Sequence, residues 1–147
     1  MLRIVAAVAA IVVGATLVYA QNQDVIKQRR AAMKDNGKAA GDLIKMSKGE
    51  MPFDLDKVHA SLKVFEEQAS KLKDLFPDDT KTGGDTAALP TVWEKKADFM
   101  ARLDKLAADA KAAEGDIKDD VSFKAELPKV MSNCGACHKE YRRPPKQ

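Results

Sequence analysis

The segment from Asp54 to Phe76 carries the most regular apolar pattern in the chain. Seven apolar residues follow one another there at alternating intervals of three and four positions: Leu55, Val58, Leu62, Phe65, Ala69, Leu72 and Phe76. This period places all seven on one face of an α-helix, as in a helix that packs against neighbours. The segment therefore predicts a bundle helix.

Three further stretches have helical periodicity, over residues 22–47, 91–115 and about 116–142. No stretch predicts a strand, and aromatic residues make up only 5% of the chain, which disfavours a strand-rich fold. Four helices with short connections predict an all-α fold, an up-down-up-down antiparallel four-helix bundle.

Local signals refine this architecture at three places. Thr91 and Glu94 have the spacing of a capping box at the start of the third helix. Pro128 lies inside the fourth helix, where the missing backbone N–H predicts a kink or a restart. The polar segment 77–85 contains two glycines and predicts a loop that passes over one end of the molecule.

The first twenty residues have the layout of a cleavable secretory signal peptide. Arg3 gives a positive start, residues 4–18 carry no charge, and small residues up to Ala20 precede the polar Gln21. An uncleaved anchor is the alternative, since the apolar run is near the lower end of spanning length. We expect cleavage, no stable membrane insertion afterwards, and one domain over residues 21–147 in the periplasm, an oxidising compartment.

The charge balance bears on the class of partner. The chain has 25 Lys and Arg against 22 Asp and Glu, a net charge of +3. A nucleic-acid-binding domain would cluster its basic residues with few acidic ones between them. We therefore expect no nucleic-acid partner.

Both cysteines of the chain lie in one motif, Cys134-Gly135-Ala136-Cys137-His138. CxxCH is the attachment signature of a c-type haem. Two thiols at this spacing can both reach the vinyl groups of one porphyrin, and the adjacent imidazole can ligate the iron. The motif predicts one haem c per chain, attached covalently through the two cysteines, with the histidine as the proximal axial ligand of the iron.

Other uses of the motif fit this chain less well. A thioredoxin-type redox pair needs a βαβ pattern, which the sequence does not show. A zinc site needs a fourth ligand, and only His59 and carboxylates remain. A disulfide within the motif is compatible with the periplasm but leaves His138 without a role. A haem-free helical binding module is a further alternative, from another functional class.

Taken together, the leader, the four helices and a CxxCH near the C-terminus resemble the cytochrome c prime family. The segments 139–143 (KEYRR) and 89–93 (LPTVW) extend the resemblance. In ordinary small cytochromes c the motif lies near the N-terminus instead. The resemblance implies a monohaem cytochrome that exchanges electrons with periplasmic redox-partner proteins. A homodimer is compatible with it, since members often pair through their first two helices.

The resemblance also implies the residue on the distal side of the iron. Most family members place an apolar residue there, which leaves the iron five-coordinate and able to bind nitric oxide or carbon monoxide. A smaller branch, typified by cytochrome c-556, places Met there and is six-coordinate and low-spin. The segment 25–33 (VIKQRRAAM) resembles the family's first-helix motif, with Met33 at the distal position.

Three arginines are candidate haem contacts on the same resemblance. Arg29, one turn before Met33, matches an arginine that contacts a haem propionate. Arg142 matches one that packs near the proximal histidine, and Arg30 is included beside Arg29. Four aromatic residues belong either to the haem wall or to the core, and the sequence does not separate them: Phe65, Trp93, Phe99 and Phe123.

Bundle geometry gives an independent test of the distal residue. Met33 lies about 16 Å along the first helix, and His138 lies about 6–14 Å from the same end of the bundle. Met100 reaches a similar depth and is the rival of Met33. Met131 shares the helix of His138 and is expected on the proximal side. Three further candidates belong to the opposite end: Met46, Met51 and His59.

No catalytic constellation accompanies the motif, so the expected function is electron transfer with His138 and Met33 as iron ligands, not enzymatic catalysis. The alternative within the family is a five-coordinate, gas-binding cytochrome c prime.

Overall fold

The computed structural model describes the backbone of residues 2–145 and the side chains of residues 22–145. Over this part of the chain the protein forms five α-helices and no β-strand: α1 (Leu2–Ser47), α2 (Leu55–Leu72), α3 (Thr91–Glu94), α4 (Lys96–Asp116) and α5 (Asp120–Tyr141).

The leader predicted at residues 1–20 lies outside the residues whose side chains are described, and its cleavage stays a prediction. In residues 22–145, the part whose side chains are described, no helix combines the length and the apolarity that are needed to cross a membrane.

The four long helices form an antiparallel bundle, which confirms the predicted fold class. Helix α1 packs on α2, α2 on α4 and α4 on α5, and α5 contacts α1 to close the bundle. The single-turn helix α3 precedes α4 and contacts both α4 and α5. The predicted third helix is thus divided at Lys95, whose φ of −116° and ψ of 43° are not helical.

Two buried clusters fill the bundle. The turn-end cluster lies near the α1–α2 and α4–α5 turns: Ala39, Leu43, Met46, Val58, Leu62, Phe65, Ala110, Ala113, Ile117, Phe123, Leu127 and Val130. The motif-end cluster lies at the other end: Ala32, Leu72, Leu75, Phe76, Val92, Phe99, Leu103 and Tyr141. The apolar stripe predicted on the second helix contributes to both, so it spans the length of the core.

Helix α1 ends in a Schellman motif at Gly49. The Gly49 N–H donates to the Met46 carbonyl at 3.0 Å, and the Glu50 N–H donates to the Lys45 carbonyl at 2.9 Å. Gly49 has a φ of +73°, the left-handed conformation that glycine adopts without a Cβ penalty. The turn reverses the chain and places α2 antiparallel to α1.

One local prediction about the helices is wrong, and a second is wrong in part. Thr91 and Glu94 form no capping box, since the N-cap is Pro90 and makes no side-chain cap; the Thr91 hydroxyl instead donates to the Glu140 carbonyl at 2.9 Å. Of the kink or restart predicted at Pro128, the restart does not occur, because α5 runs through this residue without interruption. The buried neighbours Leu127 and Val130 hold this turn in the core and offset the missing backbone bond.

Residues 73–90 form a strap across the motif end of the bundle, as the sequence predicts for the polar segment 77–85. The strap reaches α1 where Asn22 Nδ2 donates to the Asp79 carbonyl at 3.0 Å. It reaches the end of α5 where the Leu89 N–H donates to the Tyr141 carbonyl at 2.9 Å. An isolated antiparallel bridge joins Ala88 to Arg142. The strap therefore connects α1 with the C-terminal end of α5.

Candidate functional site

The CxxCH motif lies in the last two turns of α5. Cys134 and Cys137 are half-buried free thiols, so the disulfide alternative is not formed in this structure. Burial raises the pKa of both thiols, which are therefore protonated at neutral pH. Their spacing of three residues places them on one face of the helix.

His138 follows on the same turn and is also half-buried. Burial lowers the pKa of its imidazole, and the nearby Arg142 charge lowers it further. The imidazole is thus neutral at pH 7, the form that supplies a nitrogen lone pair to a metal. His138 therefore lies beside Cys137 and has a neutral imidazole, which can serve as an axial ligand of a metal.

Met33 and Met100 both pack on the motif-end cluster, and so does Cys137. The thioethers come from α1 and α4, and the thiol comes from α5. The structure brings the predicted distal residue and its rival to the same cluster, as the depth argument indicates.

The other methionines and the second histidine lie elsewhere. Met46 is part of the turn-end cluster, and Met51 packs against it, both as predicted. Met131 also packs against the turn-end cluster, away from the motif-end cluster that Cys137 contacts. The Nε2 atom of His59 lies 3.1 Å from the Ile117 carbonyl oxygen, at the α4–α5 turn.

Arg29 is 5% exposed, which is unusual for a charged side chain. Its Nη2 donates to the Thr80 carbonyl at 3.2 Å, and its Cζ lies 4.6 Å from the Phe76 ring centroid. The Nε and Nη1 atoms are buried and have no partner among the described residues. Burial lowers the pKa of the guanidinium. Two buried donors without an acceptor fit an anionic group such as a haem propionate.

The other two candidate arginines have different surroundings. Arg30 is exposed and forms an ion pair with Asp85 of the strap. Arg142 is exposed, and its backbone N–H donates to the His138 carbonyl at 3.2 Å. Of the three, Arg29 has the surroundings that fit a buried cofactor carboxylate.

The structure separates the four aromatic residues that the sequence left undecided. Phe65 and Phe123 belong to the turn-end cluster. Phe99 belongs to the motif-end cluster, and Trp93 packs against it. Phe99 also links two aromatic rings that were not among the four candidates for the haem wall. Its ring centroid lies 4.7 Å from that of Phe76 and 5.2 Å from that of Tyr141.

A polar group beside the motif was also missed from the sequence. The Tyr141 hydroxyl donates to the Asp98 carboxylate. Arg102 donates from Nε to the same carboxylate at 2.7 Å and from Nη1 to the Ala136 carbonyl at 3.2 Å. The sequence signal was the i,i+4 spacing of Asp98 and Arg102, which indicates only a helical ion pair.

Comparison with known proteins gives one consistent family. The model of the family described as Cytochrome C' matches residues 24–142. A cytochrome c' of Rhodopseudomonas palustris is 47% identical over 141 residues, covering 96% of each chain. A cytochrome c-556 of the same species is 36% identical over 146 residues, covering 97% of each. The solved structure of cytochrome c' from Rhodopseudomonas palustris covers 84% of this chain and 98% of its own, with 48% identity and a TM-score of 0.82.

Proposed function

Because the chain belongs to the cytochrome c' family, we propose that it is a periplasmic electron carrier with one haem, whose iron is ligated by His138 and Met33. Family membership implies covalently bound haem c, and Cys134 and Cys137 are the two cysteines that the chain offers for attachment. The proposed partners are redox proteins of the periplasm that exchange single electrons with it.

The observation that carries this proposal is the shared packing of Met33 and Cys137 on the motif-end cluster. Met33 comes from α1 and Cys137 from α5, so a thioether on a second helix would be available to an iron held by the adjacent His138. Arg29 precedes Met33 by one turn and supplies two free buried donors for a propionate. One helix thus offers both a distal ligand and an anion contact.

The residues of the chain determine how the site works. When bound, haem c supplies an iron that gains and loses one electron. The two cysteines hold the group to α5, and the neutral His138 presents a nitrogen ligand. A methionine thioether is a soft ligand that favours the reduced iron and raises the potential relative to two histidines. His138 and Met33, each held on its own helix, would keep the surroundings of the iron similar in both oxidation states.

The histidines argue against an enzymatic role. The chain has two, and His138 is the proposed iron ligand. His59 lies by Ile117 at the opposite end of the bundle. Neither is free to act as a general acid or base beside the proposed distal site.

A five-coordinate, gas-binding cytochrome is the second candidate. It is favoured by the 47% identity to a relative named cytochrome c'. In this reading Met33 packs beside the iron without ligating it, and the open position takes nitric oxide or carbon monoxide.

Optical spectra of the oxidised and reduced protein, with and without carbon monoxide, test the two candidates. The electron-carrier proposal expects a low-spin spectrum, a sulfur-to-iron charge-transfer band in the oxidised protein, and little response to carbon monoxide. A high-spin spectrum with a rapid response to carbon monoxide would favour the gas-binding cytochrome. Colourless protein whose mass matches the bare chain would contradict both.

A further inference from the structure

Four polar contacts to α5, three from α4 and one from Lys95 just before it, bracket the CxxCH motif. They pair Asp109 with Asn133 at 2.7 Å, Arg102 with the Ala136 carbonyl at 3.2 Å, Lys95 with Glu140 at 2.6 Å, and Asp98 with the Tyr141 hydroxyl. Residues nearer the start of α4 contact residues nearer the end of α5, because the two helices are antiparallel. The contacts begin one residue before Cys134 and end three residues after His138.

Arg102 is at the centre of this series. Its Nη1 holds the Ala136 carbonyl between the two cysteines, and its Cζ lies 5.5 Å from the Tyr141 ring centroid. Ala136 and Tyr141 are five residues apart, about 7.5 Å along a helix. Cys137 and His138 lie between them. A single guanidinium therefore contacts α5 on both sides of the proposed iron ligand.

Asp98 completes the arrangement from one turn earlier on α4. Its carboxylate accepts hydrogen bonds from both Tyr141 and Arg102, and these bonds lower its pKa. The ionised carboxylate orients the guanidinium and holds the tyrosine at the same time. Asp98 and Arg102 thus form a two-residue clamp on the last two turns of α5.

We propose that Arg102, oriented by Asp98, is a positioning residue that sets the orientation of the His138 imidazole toward the haem iron. The proposal rests on the proposed function in one respect, that His138 ligates the iron. Fixing Ala136 and Tyr141 to α4 fixes the rotation of α5 about its axis, and the imidazole turns with the helix. Groups that hydrogen-bond to the ring of a ligating histidine set its orientation directly; here the support acts through the backbone of α5.

Arginine suits this role better than lysine. Two different nitrogens of one planar guanidinium reach two acceptors, the Asp98 carboxylate and the Ala136 carbonyl. A lysine keeps the positive charge but offers one nitrogen on a flexible stem. Arg102→Lys therefore separates geometry from charge.

The experiment compares Arg102→Gln, Arg102→Lys and Asp98→Asn with Lys124→Gln in the haem-loaded protein. Lys124 pairs with Asp120 at 2.6 Å with the same i,i+4 spacing on α5, away from the motif, and is the matched control. The readouts are the haem-methyl hyperfine shifts in the proton NMR spectrum of the oxidised protein and the thermal midpoint. The hyperfine pattern depends on the plane of the axial imidazole, which a merely structural ion pair leaves unchanged.

We expect all three clamp variants to change the order or spread of the haem-methyl shifts, and Lys124→Gln to keep the wild-type pattern. The thermal midpoints should be comparable across the four variants. A wild-type pattern in Arg102→Lys beside a changed one in Arg102→Gln would overturn the proposal, because charge alone would then suffice. Wild-type patterns in all clamp variants would overturn it as well. If the Arg102→Gln variant does not accumulate with haem, the haem-methyl shifts of Arg102→Lys and Asp98→Asn still test the proposal.

The result of this experiment can be distinguished from the result of the test of the proposed function. The optical spectrum of the wild-type protein reports whether the distal position holds a ligand. The variant comparison reports the orientation of His138 whichever residue lies on the distal side. A high-spin wild type with changed patterns in the clamp variants would reject Met33 ligation and support the positioning role.

Discussion

The Arg29 guanidinium lies 4.6 Å from the centroid of the Phe76 ring and donates one hydrogen bond, to the Thr80 carbonyl. Replacing Arg29 by Gln removes the cation–π contact, the bond to the strap and the proposed propionate contact. We expect a loss of about 1–3 kcal/mol in the free energy of unfolding of the haem-loaded protein. Chemical denaturation followed by circular dichroism measures it.

Arg30 supplies the matched control for this prediction. It is the next residue on the same helix, but it is exposed and pairs with Asp85 on the surface. Arg30→Gln should change the free energy of unfolding by about 1 kcal/mol or less, because exposed ion pairs contribute little. Equal losses in the two variants would contradict a buried role for Arg29.

Met33 and Met100 can be separated by single substitutions. We expect Met33→Ala to abolish the sulfur-to-iron charge-transfer band of the oxidised protein and to convert the spectrum to high-spin. Met100→Ala should keep both features, since it removes a packing contact on the same cluster. The near-infrared spectrum measures the band. Its loss in Met100→Ala with retention in Met33→Ala would assign the ligand to α4.

The turn-end cluster should govern stability without influencing the haem spectrum. Leu43 is fully buried there, so Leu43→Ala should cost about 2–5 kcal/mol of unfolding free energy. Its neighbour Ile44 is 37% exposed, and Ile44→Ala should cost less than about 1 kcal/mol. Urea titration gives both values. A changed visible spectrum in Leu43→Ala would mean that the two clusters are coupled.

Tyr141 predicts a pH dependence at the alkaline end. Burial, and then the hydrogen bond to Asp98, raises the pKa of its phenol from 10.0 to about 12. Between these values the unfolded chain loses the phenolic proton and the folded chain retains it, so the unfolded state is favoured as pH rises. The contribution of Tyr141 to the free energy of unfolding is fully present below pH 10 and is lost by about pH 12.

The tyrosinate absorbance measures the titration directly, and urea midpoints across the same range measure the stability. Tyr141→Phe is the control, since it removes the titrating group and should flatten the curve between pH 10 and pH 12. A phenol that titrates at its ordinary value in the folded protein would refute the buried Tyr141–Asp98 contact.

The helices of the bundle could be predicted because their apolar faces repeat with the helical period. The second helix follows this period without a miss from Leu55 to Leu72, and its stripe is buried or packed on the core. The helix is shorter than predicted, because α2 ends at Leu72 and Phe76 lies in the strap. The capping box predicted from Thr91 and Glu94 was wrong because its spacing is short and also occurs by chance. The Thr91 hydroxyl instead donates to the Glu140 carbonyl, 49 residues away in the chain. A local spacing in the sequence cannot reveal such a distant partner.

The residues of the candidate site also differ in whether the sequence could reveal them. CxxCH is contiguous, so its three candidate residues could be read from the sequence, and Met33 was proposed from a family resemblance. The burial of Arg29 was not readable, since it depends on Thr80 and Phe76, which reach it only through the folded strap. The clamp of Asp98 and Arg102 on α5 was missed for the same reason. Its partners lie 43 and 34 residues away in the chain.

The bundle divides into two helical hairpins, α1 with α2 and α4 with α5, and both attachment cysteines belong to the second. A covalently held cofactor stays with α5 when the hairpins separate, so its effective concentration near α1 does not depend on how much protein is in solution. Proteins that bind haem reversibly gain stability as free haem is added, by mass action. For this chain we instead expect an unfolding midpoint that is independent of added haem, and refolding that begins with the cofactor already attached.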